Sequence, residues 1–237
     1  MVGIPDRFDL RALPRGRDDA RRVVHGYNLG AMFYVFEGVD GCGKSTQARL
    51  LAEHLREERG LETVLVREPG GTPLGELLRG LILAGREPLC PETELYLFMA
   101  ARAHLVRSRI LPALEKGQAV VSDRFLWSSV VYQGIANGIG AAEVLRVGRL
   151  ATRGIDVTRT FVIDLDPTAA FSRVKDPNRM EERGLGFQRT VRKGFLSLAA
   201  KHPGKLTLID GRGSIEDVHA RVLAKLPTRG WPAVSSR

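Results

Sequence analysis

Gly38-Val39-Asp40-Gly41-Cys42-Gly43-Lys44-Ser45 follows an apolar run, Phe33-Tyr34-Val35-Phe36, and leads into Thr46-Gln47-Ala48-Arg49-Leu50-Leu51-Ala52. The stretch satisfies G-x-x-x-x-G-K-[ST] at every fixed position, after a predicted strand and before a predicted helix, the context in which the pattern has meaning. Its glycines let successive backbone N–H groups turn inward around a polyphosphate, where a Cβ would obstruct them. Lys44 has the length to reach β- and γ-phosphates, the Ser45 hydroxyl suits Mg²⁺, and the start of the following helix adds its dipole to the anion site. The pattern therefore implies a nucleoside triphosphate site at the end of a first strand.

Working outward, apolar strand patterns recur at 33–37, 63–67, 119–122, 160–165 and 206–209. Helix-like stretches alternate with them near 44–59, 74–84, 91–116, 141–153, 184–201 and 214–226. This alternation predicts an α/β, three-layer fold: a five-stranded, mostly parallel sheet with helices on both faces. In such sheets ligands collect beyond the carboxyl ends of the strands. Polar motifs fall at those ends: Asp40 after the first, Arg67-Glu68 after the second and Asp123-Arg124 after the third.

The 237 residues are 43% hydrophobic, enough for a core, and no run approaches the roughly 20 apolar residues of a membrane span. A net charge of +9 points to an anionic partner. Basic residues are not interleaved with aromatics and no reading helix is evident, so small polyphosphates are expected rather than nucleic acid. Cys42 and Cys90 have neither metal-ligand spacing nor a disulfide framework, which suits a reducing cytoplasm. Residues 1–31 carry Arg7, Arg11, Arg15, Arg17, Arg21 and Arg22 against Asp6, Asp9, Asp18 and Asp19, without apolar periodicity. They read as a disordered or non-native extension before a domain at 32–226, and 227–237 as a flexible tail.

The strand-end motifs narrow the chemistry. Arg67-Glu68-Pro69-Gly70-Gly71-Thr72-Pro73 makes a tight loop, from which Arg79 follows in the next helix. Phe98 and Arg102, one helical turn apart, set an aromatic plane beside a guanidinium, a pairing suited to stacking and edge-reading of a base. Asp123 at its strand end can hold a Mg²⁺-bound water, and Arg124 can clamp a phosphate bidentately. Ser129 and Gln133, four apart, offer neutral hydrogen bonds.

Together these motifs resemble the bacterial type of thymidylate kinase, within the P-loop nucleoside monophosphate kinase group. The resemblance spans about 32–226. It rests on the phosphate loop with Asp40, on Glu68-Pro69-Gly70-Gly71-Thr72, on Leu97-Phe98-Met99-Ala100-Ala101-Arg102, and on Asp123-Arg124-Phe125 through Tyr132-Gln133-Gly134. It implies ATP on Gly38, Val39, Asp40, Gly41, Cys42, Gly43, Lys44, Ser45 and Thr46. It implies dTMP on Asp40, Glu68, Arg79, Phe98, Arg102, Arg124, Ser129 and Gln133, with Mg²⁺ on Ser45 and, through water, on Asp123. A lid near Arg173-Val174-Lys175-Asp176-Pro177-Asn178-Arg179-Met180-Glu181 would add cations. Lys44, Asp123, Arg124, Arg173 and Arg179 are the expected catalytic residues, with Lys175 in reserve. A homodimer is implied as well, with apolar surface expected on 91–116 and 141–153. The alternatives are another nucleotide or nucleoside kinase of this fold, and a non-catalytic P-loop binding module. The second leaves Glu68–Thr72 and Asp123–Gly134 without a role.

Overall fold

The computed structural model describes residues 32–85, 87–173 and 179–227. The expected N-terminal extension, residues 228–237 and the middle of the expected lid, 174–178 with Lys175, lie outside the described residues. Strands β1 (Phe33–Glu37), β2 (Thr63–Arg67), β3 (Ala119–Asp123), β4 (Arg159–Asp164) and β5 (Leu206–Asp210) form one sheet in the order β2-β3-β1-β4-β5. Every pairing is parallel, Val35 lying between Ser122 on one side and Thr160 on the other. The order reverses direction about β1, so the crevice where ligands collect opens at its carboxyl end, where the phosphate loop begins.

The sheet is covered on both faces, which is why its strands read as nearly continuous apolar runs. Along β1 the side chains alternate between two cores: Tyr34 and Phe36 in one, Phe33 and Val35 in the other. Helix α1 (Lys44–Glu57) packs Ala48, Leu51, Ala52 and Leu55 into the first, spaced as one helical face. Burying each leucine contributes roughly 1.5–3 kcal/mol. Helices α2 (Pro73–Ala84), α3 (Pro91–Leu105) and α4 (Leu111–Glu115) follow, with a π-helical turn, Val106–Ile110, joining the last two. The 91–116 segment is thus one helical stretch with a widened turn rather than a regular helix. Pro112 has no N–H to give back four residues, and the Ser108 hydroxyl bonds the His104 carbonyl at 2.7 Å, so the regular ladder is interrupted there.

The chain continues through α5 (Leu126–Ser129), a second π-helical turn (Val130–Ala136), α6 (Ala141–Thr152), α7 (Pro167–Phe171), α8 (Gly184–Lys201) and α9 (Ile215–Leu223). Ser214 caps α9 in a reciprocal capping box with Asp217. The large apolar side chains exposed on the 91–116 and 141–153 segments are Tyr96 and Leu150, while α2 exposes Leu74, Leu77 and Leu81 along one stripe. Among the described residues no helix is long and apolar enough to cross a membrane.

Candidate active site

Two cavities meet at the phosphate loop. One, of about 340 Å³, is bordered by Asp40, Gly41, Lys44, Ser45, Glu68, Arg79, Phe98, Arg102, Asp123, Arg124, Ser129 and Gln133, together with Tyr132, Met180 and Glu181. The other, of about 500 Å³, lies across the loop and is bordered by residues 41–47, Arg173, Gly211, Gly213, Ser214, Ile215 and Val218. Gly41, Lys44 and Ser45 border both.

The loop's shape follows from its glycines at two points. Gly38 turns at φ +139°, and a Cβ there would sit 2.6 Å from the Ile163 carbonyl oxygen and 2.8 Å from Cys42 Sγ. Gly43 is left-handed at φ +98° and starts α1 with no side-chain cap, so the first helical N–H groups remain for an anion. Lys44 arches back over the loop, its Nζ donating to the Val39 carbonyl at 2.6 Å.

Opposite the loop, Ser45 Oγ donates to Asp123 Oδ2 at 2.5 Å. The second Asp123 oxygen, Oδ1, is buried without a hydrogen-bond partner among the described residues. A hydroxyl and a carboxylate with one unsatisfied oxygen are hard oxygen ligands, a donor chemistry that fits Mg²⁺. Arg124 follows at φ +72°, uncommon for a side chain of this size. Its turn is pinned by Glu37, a fully buried carboxylate that accepts from the Phe125 and Ser128 N–H groups at 3.0 and 2.9 Å and from the Ser128 hydroxyl. Burial pushes the Glu37 carboxyl up, while the Arg124 charge, Ser128 and Phe125 pull it back. So held, Arg124 pairs with Asp40 and donates to Ser128 Oγ at 2.9 Å and the Gly38 carbonyl at 3.3 Å. Asp40 also accepts from Gln188 Nε2 at 3.0 Å and Tyr132 Oη at 3.2 Å. Burial alone would raise the Asp40 pKa, but Arg124, Lys44 and these two donors outweigh it and hold the carboxyl below its usual range.

At the other end of the first cavity, Thr72 caps α2 by accepting from the Gly75 N–H at 2.9 Å, and Pro73 opens the helix. Arg79 thereby comes under the Pro69 carbonyl, 3.0 Å from its Nη1. Burial and the nearby Arg67 both disfavour the Arg79 cation, a setting that an arriving phosphate would relieve. Phe98 is half-buried and borders the cavity. Arg102 is deeply buried and still borders the cavity. Its guanidinium bonds Glu68 Oε2 at 2.7 Å, Ser129 Oγ and the Phe125 carbonyl at 3.0 Å, and Met99 Sδ at 3.2 Å. Four of its five N–H groups are so engaged, leaving one for a ligand. Burial pushes the Glu68 carboxyl up to about 7 against the pull of Arg102, with Glu37 adding to the rise. Gln133 is buried and donates through Nε2 to Glu94 at 2.8 Å.

The two described arginines of the stretch expected to form a lid part company. Arg173 borders the second cavity beside the phosphate loop. Arg179 instead lies 3.7 Å from the buried Glu94 carboxylate and donates to the Glu87 carbonyl at 3.1 Å. Glu37, Glu94, Gln188 and Arg183 carry contacts that the sequence patterns did not single out. Glu37 left one trace, an acid closing an otherwise apolar strand, whereas Glu94 and Gln188 sit on helices among other polar residues and left none.

The model of the family described as thymidylate kinase matches residues 36–222. A thymidylate kinase of Caldanaerobacter subterraneus subsp. tengcongensis is 44% identical over 193 residues, covering 81% of this chain and 92% of that protein. One from Synechococcus sp. strain JA-3-3Ab is 42% identical over 203 residues, 86% of this chain and 98% of the relative. Among solved structures, the crystal structure of thymidylate kinase from Ehrlichia chaffeensis matches with a TM-score of 0.69 at 35% identity, over 82% of this chain and 98% of that one.

Proposed function

The chain belongs to the thymidylate kinase family, and we propose that its two joined cavities hold the donor and the acceptor of one phosphoryl transfer. It phosphorylates dTMP to dTDP with ATP as donor. The observation that carries the geometric part is the sharing of Gly41, Lys44 and Ser45 by both cavities. ATP would enter from the side of Arg173 and Gly211–Ser214, its phosphates wrapped by residues 38–46. The dTMP phosphate would lie between Arg79 and Arg124 and its base against Phe98, with Arg102, Ser129 and Gln133 at the polar edge. Asp40 and Glu68 stand beside it, the first toward the sugar.

The acceptor phosphate is already nucleophilic at neutral pH, so no covalent intermediate and no strong base are required. The protein's part is to hold two anions in line and to offset their repulsion. Lys44 and Arg124, which both border the first cavity, would supply fixed cations there. Arg173 is the described lid cation bordering the donor cavity and is assigned to the transferring phosphoryl, whereas Arg179 would have to leave Glu94 to reach it. Ser45 and, through water, Asp123 would hold Mg²⁺, which would supply further neutralisation of phosphate charge.

A soluble cytoplasmic homodimer, acting on these small molecules without nucleic acid or membrane, completes the proposal. The exposed α2 stripe of Leu74, Leu77 and Leu81 is its candidate contact, tested by sedimentation of the wild type and Leu77→Glu. Activity is tested by Mg²⁺-dependent ADP release with dTMP, dUMP, dCMP, dGMP and dAMP offered separately. Turnover strongly favouring dTMP is expected; preference for another monophosphate would move the specificity assignment away from this cavity.

A further inference from the structure

Glu94, in the first turn of α3, is 1% exposed, yet it does not border the cavity. Four donors converge on it. Oε1 accepts from Gln133 Nε2 at 2.8 Å and Asn137 Nδ2 at 3.1 Å, while Oε2 faces Arg183, with Arg179 at 3.7 Å. Arg183 also donates to Asn137 Oδ1 at 2.8 Å, closing the cluster. A carboxylate so buried needs compensating positive charge, and the two guanidiniums supply it. Compensated as an anion, Glu94 accepts hydrogen bonds and donates none.

That restriction passes to Gln133. An amide is nearly symmetric in shape, and its two ends differ only in whether they donate or accept. With Glu94 able only to accept, the Gln133 –NH₂ must face it, and the carbonyl oxygen is the end left for the cavity that Gln133 borders. We propose that Glu94 is a positioning residue for base selection: by fixing the Gln133 amide it presents an acceptor to the base edge. This rests on the reading of the cavity as the nucleoside monophosphate site. An acceptor there is matched by a pyrimidine with an N–H at position 3, as in a 4-oxo base. It meets a lone pair at the same position of a 4-amino base, and an unmatched polar contact of this kind discriminates strongly.

The test compares kcat/KM for dTMP and dCMP in the wild type, Glu94→Gln and Glu94→Asp. Glu94→Gln can turn its own –NH₂ toward Gln133 and let that amide flip, so the dTMP-to-dCMP ratio should fall about 10-fold or more, the factor one hydrogen bond of about 1.4 kcal/mol carries. The loss should lie in KM for dTMP, with KM for ATP unchanged. Glu94→Asp keeps an acceptor-only group and should retain the ratio even where stability drops. Parallel losses on both substrates in Glu94→Gln, with the ratio intact, would overturn the proposal and leave Glu94 a purely structural residue. Should neither variant fold, equilibrium binding to the wild type decides: dCMP bound as tightly as dTMP refutes it. A wild type inactive on dTMP would instead refute the site reading itself.

Discussion

Replacing Arg124 by lysine keeps the charge and the backbone cost of its left-handed φ of 72°, because both residues carry a Cβ. What changes is the number of directions in which the cation can bond. Arg124 uses Nη1 on Ser128 Oγ and the Gly38 carbonyl and Nη2 on Asp40 and Tyr132, while Nε has no partner among the described residues. A single ammonium cannot span Asp40 and an incoming phosphate with the same fork. It will stay with Asp40, the fixed anion, so the phosphate loses one charge-assisted hydrogen bond. Such a bond is worth about 1.5–3 kcal/mol, or roughly 10- to 150-fold in kcat/KM for dTMP. KM for ATP should move less than about threefold, since uniform loss of one acceptor contact leaves the donor side untouched. Initial rates of ADP release over a grid of both substrates measure the two effects separately. A variant with wild-type kcat/KM for dTMP, or with equal damage on ATP, would refute the assignment of Arg124 to the acceptor phosphate.

Glu68 gives stability a pH signature. Its carboxyl titrates near 7 in the folded protein against an ordinary 4.5, so between these values the folded state holds a proton that the unfolded state has lost. Stability should therefore fall as pH rises through that window, and Glu68→Gln should remove this slope; urea unfolding from pH 5 to 8 measures it. An equal slope in the variant would show that the slope does not originate in Glu68. Ser45→Ala removes the hydroxyl that donates to Asp123, and titrations of turnover with Mg²⁺ should need at least about tenfold more metal for half-maximal rate. Gly38→Ala places a methyl 2.6 Å from the Ile163 carbonyl oxygen at a positive φ that side chains rarely adopt, so thermal stability and ATP affinity should drop together.

The fold was legible because it is carried by local signals. β1 and β2 occupy the bounds their patterns predict, 33–37 and 63–67, and Thr72-Pro73 and Ser214 mark helix starts by chemistry that needs no distant partner. The widened turns at Val106–Ile110 and Val130–Ala136 escaped because the side-chain pattern hardly changes when one residue is added to a turn. The site divides in the same way. Residues fixed to the phosphate loop or to strand ends, such as Lys44, Asp40, Asp123 and Arg124, lie where their motifs put them, around one crevice. Arg102 and Arg179 depend on buried acids brought from elsewhere in the chain, Glu68 and Glu94, and no spacing rule reports a partner 34 or more residues away.

The most direct measurement is a single-turnover reaction with ATP labelled in its γ-phosphoryl group, enzyme in excess of labelled ATP, dTMP present, and acid quenching over time. Label should pass from ATP to the β-position of dTDP with none retained on the acid-precipitated protein, as direct transfer between two cavities joined at the phosphate loop requires. Label on the protein before it reaches dTDP, or release as inorganic phosphate while dTMP is untouched, would contradict it.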